Sequence, residues 1–551
     1  SYEFPVCGNI IKIPQLTDNL KEPTQCGCGR KGRFKQLSKE LIDIQELSII
    51  DPAENLTEGE QPLTKVILLK DDMTSHELNK TLYIYGSRII INGIYKELPL
   101  FSRSGGQLTK YLTIIEANSV EPETEESKQF YPTPEEKKEF MEMASDPRTY
   151  EKLIEAVEPT IHGEERAKEA ILLQSAGGVR RHLDEERVRR GDSHIFLIGD
   201  PATGKSVLIG AASTLLPRGR LASGKGTSGP GLCAAVVKNE IVGGNRADAG
   251  AMVLAHKSII GIDEIGDIDN EQLTYLNPAM EQQVFNLNKA GVRGKFNTQT
   301  RVIAGANPKF GRFDSYQPII GQFNIDVTLL SRFDLIFPFK DIPNKEKDEK
   351  LADHILSLNA GLKTFDKTEN IFFDRNKLRK YIQCALKYEP ELTPELINTI
   401  KEYYVNTRNP ENFQGEVKTI SLTTRQLEGL LRLAEASAKL RFSKKAGEID
   451  AKRAIDLMQF SLTKVGFDEE TGTVDIDKIA TGISATERDA IGKLEEIIKE
   501  MENTSGKMID ITDLVELAKD QGISEERTEE IINKILKKGG DFFTPISGKI
   551  M

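Results

Sequence analysis

The stretch His194-Ile195-Phe196-Leu197-Ile198-Gly199-Asp200-Pro201-Ala202-Thr203-Gly204-Lys205-Ser206-Val207-Leu208-Ile209-Gly210-Ala211-Ala212 decides the fold. Ile195 to Ile198 is an apolar run of strand length, and Val207 to Ala212 continues as an apolar-faced helix. Between them, Gly199 to Ser206 has the form G-x-x-x-x-G-K-S, in the strand-to-helix setting that a phosphate-binding loop requires. The glycines let backbone N–H groups converge on phosphate oxygens, and the helix N-terminus adds the positive end of its dipole. Lys205 offers a point charge for β- and γ-phosphates, and Ser206 a hydroxyl for Mg2+. The pattern points to a bound nucleoside triphosphate.

Working outward, a second buried strand, Lys257 to Ile262, runs into Asp263-Glu264. Beside a phosphate loop, the first acid orders Mg2+ and the second polarises an attacking water. A third run, Thr300 to Ala306, ends at Asn307-Pro308, where an amide is suited to hold that water; a fourth, Asp334 to Phe337, follows Ser331-Arg332-Phe333. Strands that end in polar residues and alternate with helices make a parallel α/β sheet with its site at the strand C-termini. Gly224 to Gly229 matches G-x-G-x-x-G formally, but no strand-to-helix entry supports dinucleotide binding. Val284 to Phe296 alternates around Ala290-Gly291 and reads as a β-hairpin with Lys289, Arg293 and Lys295 near its tip. Lysines that meet phosphates would bind DNA without sequence preference, although a solvated basic hairpin reads equally well.

With 551 residues the chain suggests about three or four domains. A net charge of −11 supplies no global basic field, so any DNA contact must be local. No apolar run approaches the ~20 residues of a membrane span. Five cysteines, odd and sparse, fit a reducing cytosol rather than a disulfide framework. The opening Ser1-Tyr2, without Met, reads as truncated or processed, and no signal peptide is recognisable.

Residues 1–120 alternate β-rich runs with turns, as in a small barrel or sandwich. Cys7, Cys26 and Cys28 form a zinc-knuckle-like group one ligand short of the usual four. Residues 121–145 are acidic, proline-bearing and linker-like. The α/β core takes 146–345. Residues 346–465 read as a helical lid over the nucleotide, with Arg425 at a threonine-capped helix start within reach of phosphate. A second linker, 466–485, leads to three short amphipathic helices in 486–551 that suit a winged helix-turn-helix.

Taken together, the phosphate loop, Ile262-Asp263-Glu264-Ile265, Gly305-Ala306-Asn307-Pro308-Lys309-Phe310-Gly311-Arg312-Phe313-Asp314 and Leu329-Leu330-Ser331-Arg332-Phe333-Asp334 resemble the minichromosome maintenance (MCM) replicative helicases of archaeal type. Ala279-Met280-Glu281-Gln282-Gln283, Lys289-Ala290-Gly291 and Leu422-Thr423-Thr424-Arg425-Gln426 add to the likeness, and Ile115-Glu116-Ala117-Asn118-Ser119 is similar to the end of the family's N-terminal OB domain.

The resemblance implies an OB-fold barrel, an AAA+ P-loop ATPase with its lid and a C-terminal winged helix. It implies ATP and Mg2+, and a ring, usually a homohexamer, around single-stranded or forked DNA. A double hexamer and accessory replication factors such as GINS are implied too, with a cytoplasmic, nucleoid-associated setting. Asn307 then matches sensor 1, Arg332 an arginine finger for the neighbouring subunit, and Arg425 sensor 2. Lys289 matches the channel-facing lysine of the pre-sensor hairpin, and Gly231 to Leu254 the helix-2 insertion. This chain departs from the family where Phe4 replaces the first zinc cysteine, where a leading helical subdomain is missing, and at Gly266-Asp267. The expected activity is ATP-driven duplex unwinding; an AAA+ loader or remodeller that hydrolyses ATP without unwinding is the alternative.

Overall fold

The computed structural model describes residues 1–13, 22–51, 63–75, 78, 88–101, 107–122, 132–146, 148–182, 188–227, 229–238, 245–309, 311–313, 322–341, 343–360, 374–408, 422–468, 473–474, 509–510, 514 and 549–550.

Near the N-terminus, strands β1 (Tyr2–Phe4), β2 (Asn9–Ile11) and β3 (Lys35–Gln36) form a small antiparallel sheet in the order β2-β1-β3. Four longer strands follow: β4 (Ile44–Ile50), β5 (Thr64–Lys70), β6 (Ile89–Phe101) and β7 (Gln107–Pro122). They pair in the order β4-β5-β7-β6, with β5 and β7 parallel and the other pairs antiparallel. Ile67, Leu69 and Ala117 close a core of their own on this sheet. Where a barrel or sandwich is expected, the described residues form this four-stranded mixed sheet beside the small sheet of β1 to β3.

The stretch read as a linker is helical from Pro134 onward: α1 spans Pro134–Ala144. Thr133 accepts from the Glu136 N–H while Glu136 reaches back to the Thr133 N–H, and Pro134 opens the helix. This capping box defines a start that acidic composition hid. Phe140 and Met143 go into the main core, and Lys377 and Lys380 pair with Glu139 and Glu136. Helices α2 (Thr149–Val157) and α3 (Glu165–Ala176) follow.

The central sheet has five parallel strands: β8 (Ile195–Gly199), β9 (Arg220–Ser223), β12 (Ile259–Asp263), β15 (Arg301–Ala306) and β16 (Leu335–Phe339), in the order β9-β12-β15-β8-β16. Ile195–Ile198 and Arg301–Ala306 are buried throughout, as expected for strands covered on both faces. Helix α4 (Lys205–Ser213) leaves the C-terminal end of β8. Two antiparallel hairpins are inserted: β10 (Ala234–Lys238) with β11 (Asn245–Ala249), and, after the short helix α5 (Leu276–Glu281), β13 (Val284–Lys289) with β14 (Val292–Asn297).

Beyond the sheet come α6 (Lys345–Asn359), α7 (Arg375–Ala385), α8 (Pro394–Arg408), α9 (Thr424–Leu440) and α10 (Glu448–Gly466). One continuous core runs from Phe140 to Val465, so the expected helical region packs as part of the α/β unit. Asp334, just ahead of β16, fastens it: the buried carboxylate accepts from the His194 N–H at 2.9 Å and from Arg432 of α9 at 2.5 Å. Arg190 closes on the same group at 3.4 Å. The expected winged helix of 486–551 and the linker of 466–485 lie almost wholly outside the described residues; of the former, the described Ile509–Asp510 pairs with Lys549–Ile550.

Candidate active site

Three neighbouring strands bring the first set of predicted residues to one end of the sheet. Gly199 ends β8, Asp263 ends β12, and Asn307 follows β15, which runs between them. Gly199 is required by close approach: a Cβ there would lie 2.3 Å from the Phe339 carbonyl oxygen. Ala202 and Gly204 both take positive φ, at 63° and 84°, which curls the loop back over the start of α4. Asp200 pins the loop to its surroundings by accepting from the Phe313 N–H at 2.8 Å and the Asp341 N–H at 2.9 Å.

Lys205 is buried, and its ammonium donates to the Gly199 carbonyl at 2.9 Å, the Asp200 carbonyl at 2.5 Å and Thr203 Oγ1 at 3.3 Å. Burial lowers its pKa, and the charges of Asp200 and Asp263 act the other way. A cation held only by loop carbonyls and one hydroxyl, at a helix N-terminus, suits a phosphate. Ser206, in the first turn of α4, and Asp263, at the end of β12, carry oxygen donors of the kind that Mg2+ takes.

Glu264 lies just past β12 in a left-handed backbone conformation, φ 52°. Its carboxylate pairs with Lys225 at 3.1 Å, and Lys225 reaches Asp267 at 3.5 Å. These carboxylates raise the pKa of Lys225. Lys225 follows β9, whose Ser223 is in register with Asp263, and this pairing brings the two groups together. A cleft of about 370 Å³ is lined by Glu264, Gly266, Asp267, Asn307, Pro308, Lys309 and Asn324, so Glu264 and Asn307 face one space.

Arg332 and Arg425 are elsewhere. Arg332 precedes β16, and β16 pairs with β8 so that Leu335 meets Ile195 and Phe339 meets Gly199. Arg332 is therefore at the N-terminal end of the strands, and the five residues of β8 alone separate the two ends by about 13 Å. Arg425, in the first turn of α9, donates to Ser331 Oγ at 2.7 Å. That hydrogen bond stands it beside Arg332, at the end of the sheet away from its own protomer's phosphate loop.

The basic hairpin is present, with its turn at Ala290 and Gly291, φ 52° and 81°. Successive side chains alternate between faces. Lys289 thus follows Phe285 and Leu287 along the face that buries those two. Arg293 and Lys295, opposite Asn288 and Asn286, project from the other face, so the three cations form two groups. Asn245 of β11 donates to the Ala290 carbonyl at 3.0 Å, tying the second hairpin to this turn.

The three cysteines meet: Cys7 Sγ lies 3.4 Å from Cys26 Sγ and 3.6 Å from Cys28 Sγ. These separations match the edges of a zinc–thiolate tetrahedron built on Zn–S bonds of about 2.3 Å. Asn9 Nδ2 points at Cys26 Sγ from 3.7 Å, and main-chain and thiol hydrogen bonds lower the Cys26 pKa to about 7. Phe4 is buried against Phe34, with ring centroids 4.9 Å apart, and offers no ligand. Among the described residues no further His, Cys, Asp or Glu joins the group.

A parallel sheet with a phosphate loop at the end of one strand, an acid pair on another and a helical subdomain in the same core defines the P-loop ATPase class. Residues 136–359 match the MCM P-loop domain and residues 376–462 the MCM AAA-lid domain. The chain is similar to the minichromosome maintenance protein MCM of Saccharolobus solfataricus, 35% identical over 97% of this chain and 77% of that protein. An uncharacterized MCM-type protein of Methanocaldococcus jannaschii is 30% identical over 100% of this chain and 78% of its own length. The DNA replication licensing factor MCM4 of Arabidopsis thaliana is 31% identical over 98% and 65%. The protein belongs to the minichromosome maintenance family. No helix among the described residues is long and apolar enough to cross a membrane.

Sequence reasoning missed Lys225, Glu281 as a partner of both arginines, and Asp334. Only Asp334 carried a signal, as an acid opening an otherwise apolar strand.

Proposed function

We propose that this protein is an ATP-driven replicative helicase, working as a homohexameric ring that translocates on single-stranded DNA and parts the duplex ahead of it. The observation that carries the reading is the division of the polar set between the two ends of one sheet. Lys205, Asp263, Glu264 and Asn307 serve one end, while Arg332 and Arg425 stand together at the other, too far to serve the same nucleotide. A complete hydrolytic site then needs the arginine face of a neighbouring copy, and a head-to-tail contact of that kind builds a ring where its rotation closes.

In this reading Ser206 and Asp263 hold Mg2+, which neutralises charge on the β- and γ-phosphates when bound. Lys205 gives up its carbonyl partners for phosphate oxygens. Asn307 orients the attacking water, and Glu264, once turned from Lys225, accepts its proton. The neighbour's Arg332 and Arg425 balance the charge that develops on the transferred phosphoryl group. Lys289, Arg293 and Lys295 touch DNA phosphates in the channel, a local contact compatible with a net charge of −11. The N-terminal sheet belongs to an OB-type barrel, and Cys7, Cys26 and Cys28 bind one zinc whose fourth ligand is water or another exogenous group. Residues 486–551 form a winged helix, and forked DNA and GINS-type factors are the expected partners.

The test is strand separation on a forked duplex by the assembled protein. DNA-stimulated ATP hydrolysis with unwinding, both lost in Lys205→Ala, supports the reading. An assembled ring that hydrolyses ATP and unwinds nothing refutes it in favour of a loader or remodeller. Zinc is tested separately by metal analysis, with one equivalent per chain expected and none in Cys26→Ser.

A further inference from the structure

Glu281 closes α5 and reaches both arginines at the far end of the sheet. Its Oε1 accepts from Arg425 Nη2 at 2.7 Å, and its Oε2 pairs with Arg332 Nη2 at 2.9 Å. Arg332 also donates to the Thr328 carbonyl at 2.7 Å and the Asn277 carbonyl at 3.2 Å. Each guanidinium thus has a neutral holder, and Glu281 is the group common to both.

Charge makes that group matter. Two guanidiniums side by side repel one another, and Arg425 lies in the first turn of a helix, where the backbone dipole disfavours a cation. A carboxylate between them offsets both effects. It also fixes their spacing, because charge-assisted bonds to guanidinium are directional. The carboxylate is itself firmly mounted: the preceding carbonyl, Met280, accepts from His194 Nε2 at 3.2 Å and from Arg190 at 3.4 Å. His194 is neutral, its pKa pushed down to about 3 by burial, and Nδ1 accepts from the Val302 N–H, so Nε2 carries the proton. Three residues beyond Glu281 the basic hairpin begins.

We propose that Glu281 is a positioning residue that sets Arg332 and Arg425 as a pair for the neighbouring subunit's nucleotide and fixes that pair relative to the root of the basic hairpin. The proposal rests on the split-site reading above. When the neighbour's phosphates arrive they replace the carboxylate as acceptors, and the guanidiniums turn to them from a defined start. Neither arginine touches its own protomer's phosphate loop, so the loss of Glu281 changes turnover at the neighbour's site and leaves ATP uptake at its own site intact.

The experiment measures steady-state ATP hydrolysis with forked DNA in assembled full-length protein, for Glu281→Ala, Glu281→Gln and, as reference, Arg332→Ala. Misplacing a catalytic group by about 1 Å costs up to about a hundredfold, and the remaining holders reduce that, so Glu281→Ala is expected to lose about tenfold in kcat with KM for ATP within about twofold. Glu281→Gln, whose amide oxygen still accepts from one guanidinium, falls between it and the parent. Mixing sharpens the result: Glu281→Ala mixed with Lys205→Ala regains turnover, whereas Glu281→Ala mixed with Arg332→Ala does not. A parental kcat in Glu281→Ala beside a collapsed Arg332→Ala overturns the proposal and leaves the split site standing. A raised KM with unchanged kcat overturns it as well. Parental turnover in Arg332→Ala removes the split-site reading itself. If Glu281→Ala does not assemble, Glu281→Gln alone decides, by the same kcat and mixing criteria.

Discussion

Replacing Asp334 by Asn tests how the helical subdomain is held to the sheet. The side chain keeps its shape, but one acceptor oxygen becomes an N–H donor and the charge is lost. In the native protein that carboxylate faces Arg432, Arg190 and the His194 N–H. Arg432 has a side-chain exposure of 4% and Asp334 of 3%, so the buried guanidinium left behind keeps only a longer pair, at 3.6 Å, with the half-exposed Glu428. Breaking a buried pair by removing one partner typically costs about 3–5 kcal/mol, which for a cooperative unit of this size means a fall in Tm of roughly 4–7 °C. Because large proteins unfold irreversibly, parent and variant are compared by scanning calorimetry at one fixed scan rate. Adding Arg432→Met to Asp334→Asn recovers part of the loss, since the buried charge that has lost its nearest partner is then gone. A Tm within about 2 °C of the parent for Asp334→Asn refutes the reasoning.

The same group sets a sign for pH. Burial alone raises the Asp334 pKa, but Arg432, Arg190 and the His194 backbone N–H outweigh it and hold it below the ordinary carboxylate range. A depressed folded pKa means the contribution is fully present above the unfolded value, about 3.9, and is lost as pH falls below it. The helical subdomain should therefore loosen below about pH 4 in the parent, and Asp334→Asn should remove that part of the acid sensitivity.

Lys289→Ala should lower unwinding and DNA stimulation of the ATPase by about tenfold or more and reduce the salt dependence of DNA binding by about one counterion per subunit; an unchanged salt slope argues against a phosphate contact. Lys225→Ala removes the partner that holds Glu264 at 3.1 Å, so hydrolysis without DNA should rise by about two- to fivefold, the size of effect an exposed ion pair carries. Steady-state turnover without DNA checks it, and a fall in that rate shows instead that Lys225 assists the chemistry.

The phosphate loop was legible because everything it needs is local: one strand, one helix and a fixed spacing between them. The acid pair, Asn307 and the hairpin were legible for the same reason, each being a strand end or a turn. Where contacts depend on strand order the sequence is silent. Lys225 meets Glu264 only because β9 pairs with β12 in the register of Ser223 with Asp263. Glu281 and Arg425 are 144 residues apart, and no spacing rule predicts that the start of α9 lies at the N-terminal edge of the sheet. Helix α1 was missed for a different reason. Its Thr133-Pro134-Glu135-Glu136 capping box was present, but three glutamates and two lysines within Pro134–Glu139 masked the apolar positions Phe140 and Met143. The pleat explains the hairpin: counting cations near a tip says nothing about which face each one takes.

The most direct test of the central claim mixes two inactive variants. Lys205→Ala spoils a protomer's own nucleotide site and keeps its arginine face; Arg332→Ala does the reverse. If the site is shared, random rings of the two contain intact interfaces, and ATP hydrolysis returns to roughly a quarter of the parental rate at equal mixing. A mixture that assembles and stays as inactive as its components contradicts the account, because it places the whole site within one chain.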